Sequence, residues 1–284
     1  MAIKLYTKQF VETLPALFKA KSHFINSFNG LDVVDGIAQS ETAFSVKVSD
    51  MDVVVNDYNT DVAIDAGRLG EMREIISTNV DVPYEATKAI NEGLDMVTLN
   101  DDIDQVVAER MEKQEQAIVK LIDNSVGKAL SDNAGETLTG DLTEAGVIKA
   151  FNEANDHFTE NEVDDEAVKR AYVTSEVYNF IVDAGLASAG KGSSVDMDTN
   201  TVYMFKDFIL DKTPKARFNG GDNVLFVVDG IGKAFAGINE YRALDEHPEF
   251  FGTALQALVK YGTFVPEVNK NAIVKATLTE VPEA

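Results

Sequence analysis

The stretch from Asn100 to Leu130, NDDIDQVVAERMEKQEQAIVKLIDNSVGKAL, constrains the possible folds of this chain more than any other. Its apolar residues fall at Ile103, Val107, Met111, Ile118, Leu121, Ile122, Val126 and Leu130, with Val106, Ala117 and Ala129 beside them. Spacings of three and four put one apolar stripe along an α-helix. Asp104, Glu109, Glu112, Lys113, Glu115, Lys120 and Asp123 lie opposite and are expected to meet water or a polar partner. Asn100, Asp101 and Asp102 offer capping oxygens and suit the positive end of the helix dipole. No proline interrupts the pattern, and Gly127 is its weak point, costing about 1 kcal/mol against alanine. At ~1.5 Å per residue, about 28 residues make a rod of about 42 Å. Such a rod keeps the segments on its two sides apart.

With 284 residues the chain buries a sizeable core and approaches the length at which one core divides into two lobes. No apolar run reaches 18 residues and no charged-then-apolar leader is present, so neither a membrane span nor a secretion signal is expected. Cysteine is absent, which excludes disulfides, thiolate metal sites and cysteine nucleophiles and fits the cytoplasm. The net charge is −23 and unevenly spread: Lys4, Lys8, Lys19 and Lys21 face only Glu12 in residues 1–30, a local +3 that leaves −26 for the rest. An acidic body repels polyphosphate, which argues against tight DNA binding. It is compatible with a container whose walls let DNA pack and leave; solubility alone also accounts for it.

Residues 1–30 form a basic segment studded with Phe10, Leu14, Leu17, Phe18, Phe24, Ile25 and Phe28, in which Pro15 disfavours an unbroken helix. It either docks on a neighbour or packs on its own core. From Thr42 the pattern is that of a strand: Phe44, Val46 and Val48 alternate with Ser45, Lys47 and Ser49, and Met51, Val53 and Val55 continue on the other parity. The phase change at Ser49–Asp50 predicts a bulge. After a polar tip (residues 56–70), REIISTNVDVPY returns over 73–84. The product is a two-stranded ribbon, marginal alone in water, which must lie on another copy or on a third strand of the same chain.

Residues 84–99 read as a lead into the helix, and 131–141 as a loop between lobes. A second helix carries Val147, Phe151, Ala154 and Phe158 on one face. RAYVTSEVYNFIVDAG predicts a strand, a Thr174/Ser175 cap, a helix and a Gly185 stop. Strands are expected at 202–210, 223–228 and 271–278, with an apolar segment at 253–261. The mixture lacks regular βαβ alternation, so the fold class is α+β.

Several motifs imitate chemistry. Residues 185–193 nearly match a phosphate-binding loop, but a helix precedes them and Gly192 replaces the hydroxyl that would hold magnesium. Asp196, Asp198 and Asn200 open like a calcium loop whose sixth and twelfth positions, Thr201 and Asp207, are wrong. Gly230, Gly232 and Gly237 miss the dinucleotide spacing and read as turn glycines. His23, His157 and His247 form no metal-binding pair. Catalytic, cofactor and metal residues are therefore assigned to none.

Three segments carry a family likeness: KLYTKQFVETLPALFKAKSHF, RAYVTSEVYNFIVDAG, and the region 202–278 with its Thr213–Pro214 turn, VLFVVDG, ALQALVKYG and AIVKATL. In order and local character the chain resembles the major capsid (head) proteins of tailed bacteriophages, nearest to those of phages of lactic-acid bacteria. The resemblance implies an N-terminal arm (1–36), an extended β-hairpin loop (37–82), a peripheral domain with the spine helix (83–135 and 238–265) and an axial domain (136–237 and 266–284). It implies a virion protein, assembled in the host cytoplasm, that forms pentamers and hexamers of itself in an icosahedral shell around double-stranded DNA. Neither a sequence-specific DNA contact nor a membrane is expected.

Implied assembly contacts are Phe10, Phe18 and Phe24 in the arm and Lys47, Tyr58, Asp61, Arg68 and Arg73 in the ribbon. Some relatives carry a scaffolding domain ahead of the arm; here the arm starts at Met1, so a separate scaffolding protein is expected, with a portal protein and a decoration protein as further partners. Lys47 is the only lysine of the hairpin, and no cross-link is predicted from it. An encapsulin-like nanocompartment shell enclosing enzyme cargo is the alternative. A soluble carboxylate enzyme or sugar-binding protein is the reading from another class.

Overall fold

The computed structural model describes residues 3–5, 22–33, 42–48, 55–61, 68–69, 78–95, 103–164, 166–186, 194–196, 201–244 and 251–280. The chain divides into a body, Met1–Ala38 with Glu85–Ala284, and a small unit, Gln39–Tyr84. In the small unit β3 (Thr42–Val48) pairs antiparallel with β4 (Thr78–Pro83). Phe44 lies opposite Val82 and Val46 opposite Val80, while Ser45 hydrogen-bonds Asp81 on the other face. The expected alternation holds over these residues, and the register shifts between Thr42 and Phe44. The bulge expected at Ser49–Asp50 lies outside the described residues.

The body is built on α1 (Ile103–Asp132), the long helix that the periodicity predicts. Ile118, Val119, Ile122, Val126 and Leu130 are buried along it, each such side chain worth about 1.5–3 kcal/mol in removed apolar surface. On one side lies a five-stranded sheet of β1 (Ile3–Leu5), β12 (Lys233–Leu244), β13 (Gly252–Phe264) and β5 (Ala86–Asp95), with β2 (Leu31–Val33) parallel to β12. Ala257, Val259 and Tyr261 of β13 point into the core that α1 fills.

The second sheet has seven strands in the order β6 (Glu136–Asp141), β14 (Ile273–Thr279), β11 (Val224–Val228), β7 (Lys169–Val173), β10 (Phe208–Lys212), β9 (Thr201–Phe205) and β8 (Ser194–Asp196). Strand alternation divides its side chains between two cores. Tyr172, Leu225, Val227 and Ile273 join the α1 core; Ala171, Val173, Val224, Phe226 and Val274 join a second core under α2 (Glu144–Glu160) and α3 (Ser175–Asp183). The residues expected on the inner face of α2, Val147, Phe151, Ala154 and Phe158, are all buried there. Thr143 caps α2 by accepting the Gly146 N–H at 3.1 Å, and Gly185, with φ +59°, stops the chain just past α3.

The structure corrects four local expectations. Residues 86–95 form the edge strand β5, although ATKAINEGLD has weak strand propensity; ten-residue pairing to β13 overrides it. Residues 136–141 are the parallel edge strand β6 and not loop. The strand expected over 202–210 is a hairpin, turning at Lys206 and Asp207 with φ of 50° and 73°, positive φ at both turn residues as in a type I′ hairpin. Gly237, expected in a turn, is inside β12, while Gly230 does turn, with φ +87°.

Candidate assembly site

Among the described residues, the ribbon offers Lys47, Tyr58, Asp61 and Arg68 at its strands and tip. Val55, Tyr58 and Leu69 are exposed, and Asn59 orders the tip by accepting the Asp61 N–H on its side chain while its own N–H donates to the Arg68 carbonyl at 3.1 Å. Phe10, Phe18 and Arg73 lie outside the described residues. Phe24 requires a correction: it is wholly buried in the core of its own chain and is closed to a neighbour.

Phe24 opens a 3-10 helix, Phe24–Phe28, wedged between α1 and the inner face of the seven-stranded sheet. Its ring meets Tyr172 edge-on at 4.8 Å and Phe218 at 5.9 Å. Aromatic, apolar and preceded by a serine, this segment folds inward because α1 leaves room for it. A Cβ on Gly127 would sit 2.7 Å from the Phe24 ring and 2.8 Å from the Arg217 carbonyl. Gly127 is therefore a point of close approach, and the helix propensity it sacrifices is offset by this packing.

Asp123 holds the wedge. Expected on the face opposite the apolar stripe, it is instead wholly buried on the core side: one carboxylate oxygen accepts the Ser22 hydroxyl, the His23 N–H at 3.0 Å and the Phe24 N–H at 3.1 Å. The other accepts Arg217 Nη1 at 2.6 Å. Two backbone donors at the start of the 3-10 helix are thereby satisfied, as an N-cap satisfies them. On the sheet side His23 Nδ1 lies 2.9 Å from Asp211, and Ser27 Oγ lies 2.7 Å from Tyr172 Oη. The Ser27 carbonyl accepts the N–H groups of Gly230 and Ile231 at 2.8 and 3.1 Å. The hydrogen bond to Asp211 raises the His23 pKa from 6.5 against the opposing effect of burial, and burial pushes the Tyr172 hydroxyl up.

Sequence reasoning passes over this cluster, although a signal is present. Asp123 falls four residues after Val119 and three before Val126, so the same spacing that assigns it to the polar face also aligns it with two apolar residues, and a buried acid there needs partners.

A second polar junction ties β5 to α1: Glu92 accepts Arg110 and, at 2.7 Å, Gln114 Nε2, and the Arg110 bond holds the Glu92 carboxyl below its usual range. Two shallow clefts measure about 340 and 350 Å³. The first is edged by Glu162, Asp164 and Asp229, the last engaged by Arg170 at 2.7 Å. The calcium-like run falls partly on strand, and Asp207 pairs with Lys169 at 3.5 Å; residues 187–193 of the phosphate-loop imitation lie outside the described residues. Among the described residues, no group of three His, Cys, Asp or Glu could hold a metal ion, and no helix is long and apolar enough to cross a membrane.

No protein-family model matches the sequence, and no curated protein matches it. Solved structures do. A chain of Mycobacterium phage Che8 is similar with TM-score 0.66 and 20% identity over 90% of each chain. A chain of the mature capsid of bacteriophage PhiM1 gives 0.68 at 11% identity, over 92% of this chain and 88% of that one. The fold is that of a tailed-phage capsid protein. A virus-like particle from Pyrococcus furiosus is similar at TM-score 0.52 and 12% identity, over 96% of this chain and 100% of that one. The capsid fold meets the α+β expectation, and the likeness extends over about nine-tenths of the chain.

Proposed function

We propose that this chain is a major capsid protein, a structural and non-enzymatic subunit whose copies assemble into the icosahedral head shell around phage double-stranded DNA. The observation that carries the reading is a capsid fold matched over nine-tenths of the chain. The acidic body supports it, since walls of like charge confine DNA without binding it. A two-stranded ribbon, marginal by itself, supports contacts between copies. In this reading residues 1–36 are the arm and 37–82 the extended loop, with Lys47, Tyr58, Asp61 and Arg68 as contacts to neighbours. The peripheral domain is 83–135 with 238–265, and the axial domain 136–237 with 266–284. The protein resides in the virion, is assembled in the host cytoplasm, and works with scaffolding, portal and decoration proteins.

The test is expression of the full chain, alone and together with a candidate scaffolding protein, followed by light scattering and negative-stain microscopy. Closed shells are expected from the unaltered chain, and a folded, shell-deficient product from a chain lacking residues 58–67. Normal shells from the deletion sink the ribbon's role; small soluble oligomers under both conditions sink the shell. A second reading keeps the shell and changes its contents, a compartment with protein cargo; the likeness to a virus-like particle is compatible with either. The contents of purified particles, DNA or protein, separate the two.

A further inference from the structure

We propose that Asp123 is a positioning residue for assembly: by seating the Ser22–Gly30 wedge it locks the two sheets at one angle, and that angle sets the curvature at which copies join. The second half rests on the shell reading; the first stands on geometry alone. The wedge touches both halves of the body. Ser22, His23 and Phe24 are bound to α1 through Asp123, and the Phe24 ring fills the notch left by Gly127. His23 and Ser27 are bound to Asp211 and Tyr172 of the seven-stranded sheet. At its far end the chain enters β2, which pairs with β12 of the five-stranded sheet. One short segment thus spans helix and both sheets.

The bonds at its root are polar and directional, so they hold one geometry well and a shifted geometry poorly. An apolar seat would tolerate sliding. Identical subunits that close a shell must meet at defined angles, and a subunit whose sheets rock relative to each other closes shells of several sizes. Arg217 reinforces the seat by pairing with the other Asp123 carboxylate oxygen at 2.6 Å.

Two substitutions approach the wedge from different sides. Asp123→Asn keeps the shape and removes the charge. Gly127→Ala favours α1 by propensity yet drives a methyl group into the Phe24 ring. The chain has no cysteine, so Thr87→Cys on β5 and Thr137→Cys on β6, both exposed, can carry spin labels that report the distance between the sheets. We expect amide exchange at His23 and Phe24 to rise about tenfold or more in both variants, the label distance distribution to broaden, and the particles to spread in size. Phe205→Leu, in the other core, serves as a control: it lowers overall stability and leaves label distances and particle sizes alone.

Unchanged exchange and distances in both variants overturn the lock. Exchange that accelerates equally through α2 and the seven-stranded sheet also overturns it, since Asp123 then acts on stability in general. Broadened distances with unchanged particle size overturn the link to curvature. If the unaltered chain forms no particles, the shell reading and the curvature link fall together, and exchange and distances still decide the lock.

Discussion

The two cores of the body are built on opposite plans. Under α2, Phe151 meets Phe205 and Phe226 at 4.8 Å and Phe208 at 5.6 Å, and Phe208 meets Phe226 at 5.0 Å, a lattice of rings held by shape. Around α1 the core mixes aliphatic side chains with the rings of Phe24, Phe28 and Tyr172, and buried polar groups stitch it: Asp123 to the wedge, Ser131 to Asp222 at 2.5 Å, and Gln114 to Glu92. Rings packed edge to face resist any change of volume. Polar stitches contribute little net stability each, yet are costly to leave unmade. One half of the molecule is therefore a block and the other a fitted joint.

The comparison breaks most visibly at Phe151. Replacing it with alanine should cost about 3–5 kcal/mol, read from urea denaturation; a loss under about 1 kcal/mol would show that the rings are not the block described. Tyr172→Phe tests the joint, because it strands the buried Ser27 hydroxyl. The expected loss is about 1–3 kcal/mol, with faster exchange near Ser27 and no change in α2. A smaller effect is expected at Gln114, whose Oε1 is buried without a partner. Gln114→Met should change stability by less than about 1 kcal/mol, since the lost bond to Glu92 is offset by removal of that orphaned acceptor; a large loss would mean that the stitch to β5 matters more than the desolvation.

The smallest effect is in pH. The His23 pKa is raised above 6.5 by Asp211, so its stabilisation is complete below the unfolded value and disappears as pH rises through the folded one. For a partly exposed pair this amounts to under about 1 kcal/mol. Stability should fall slightly as pH rises from about 6 to about 8, and His23→Gln should flatten the slope; a slope unchanged by that substitution removes His23 from the joint.

What the sequence discloses runs along the same division. α1 and α2 are legible because a one-sided apolar stripe repeats over many turns, and β7 and β11 because a dense apolar run is bounded by turn residues. Strands β5 and β6 are illegible because ATKAINEGLD and ETLTGD carry neither alternation nor a run of branched residues; partner strands make them, and partners are not local. The turn at Lys206–Asp207 escapes notice because its residues advertise no positive φ. Phe24 reads as an intermolecular contact because a basic, aromatic terminus looks like an arm. Nothing nearby shows that Gly127, far along the chain, opens a socket for its ring. Asp123 reads as part of the polar face because it is charged; its burial depends on donors at Ser22 and Arg217, which no spacing rule connects to it.

The order of the seven-stranded sheet has a bearing on biogenesis. Its second strand, Ile273–Thr279, is the last to be synthesised, and it separates Glu136–Asp141 from Val224–Val228. Until that strand leaves the ribosome, Glu136–Asp141 has no neighbour in the sheet and the five strands beyond it end on the open edge of Val224–Val228. The sheet, and with it the core that Val274, Ala276 and Leu278 complete, therefore closes only after residue 279 has been made.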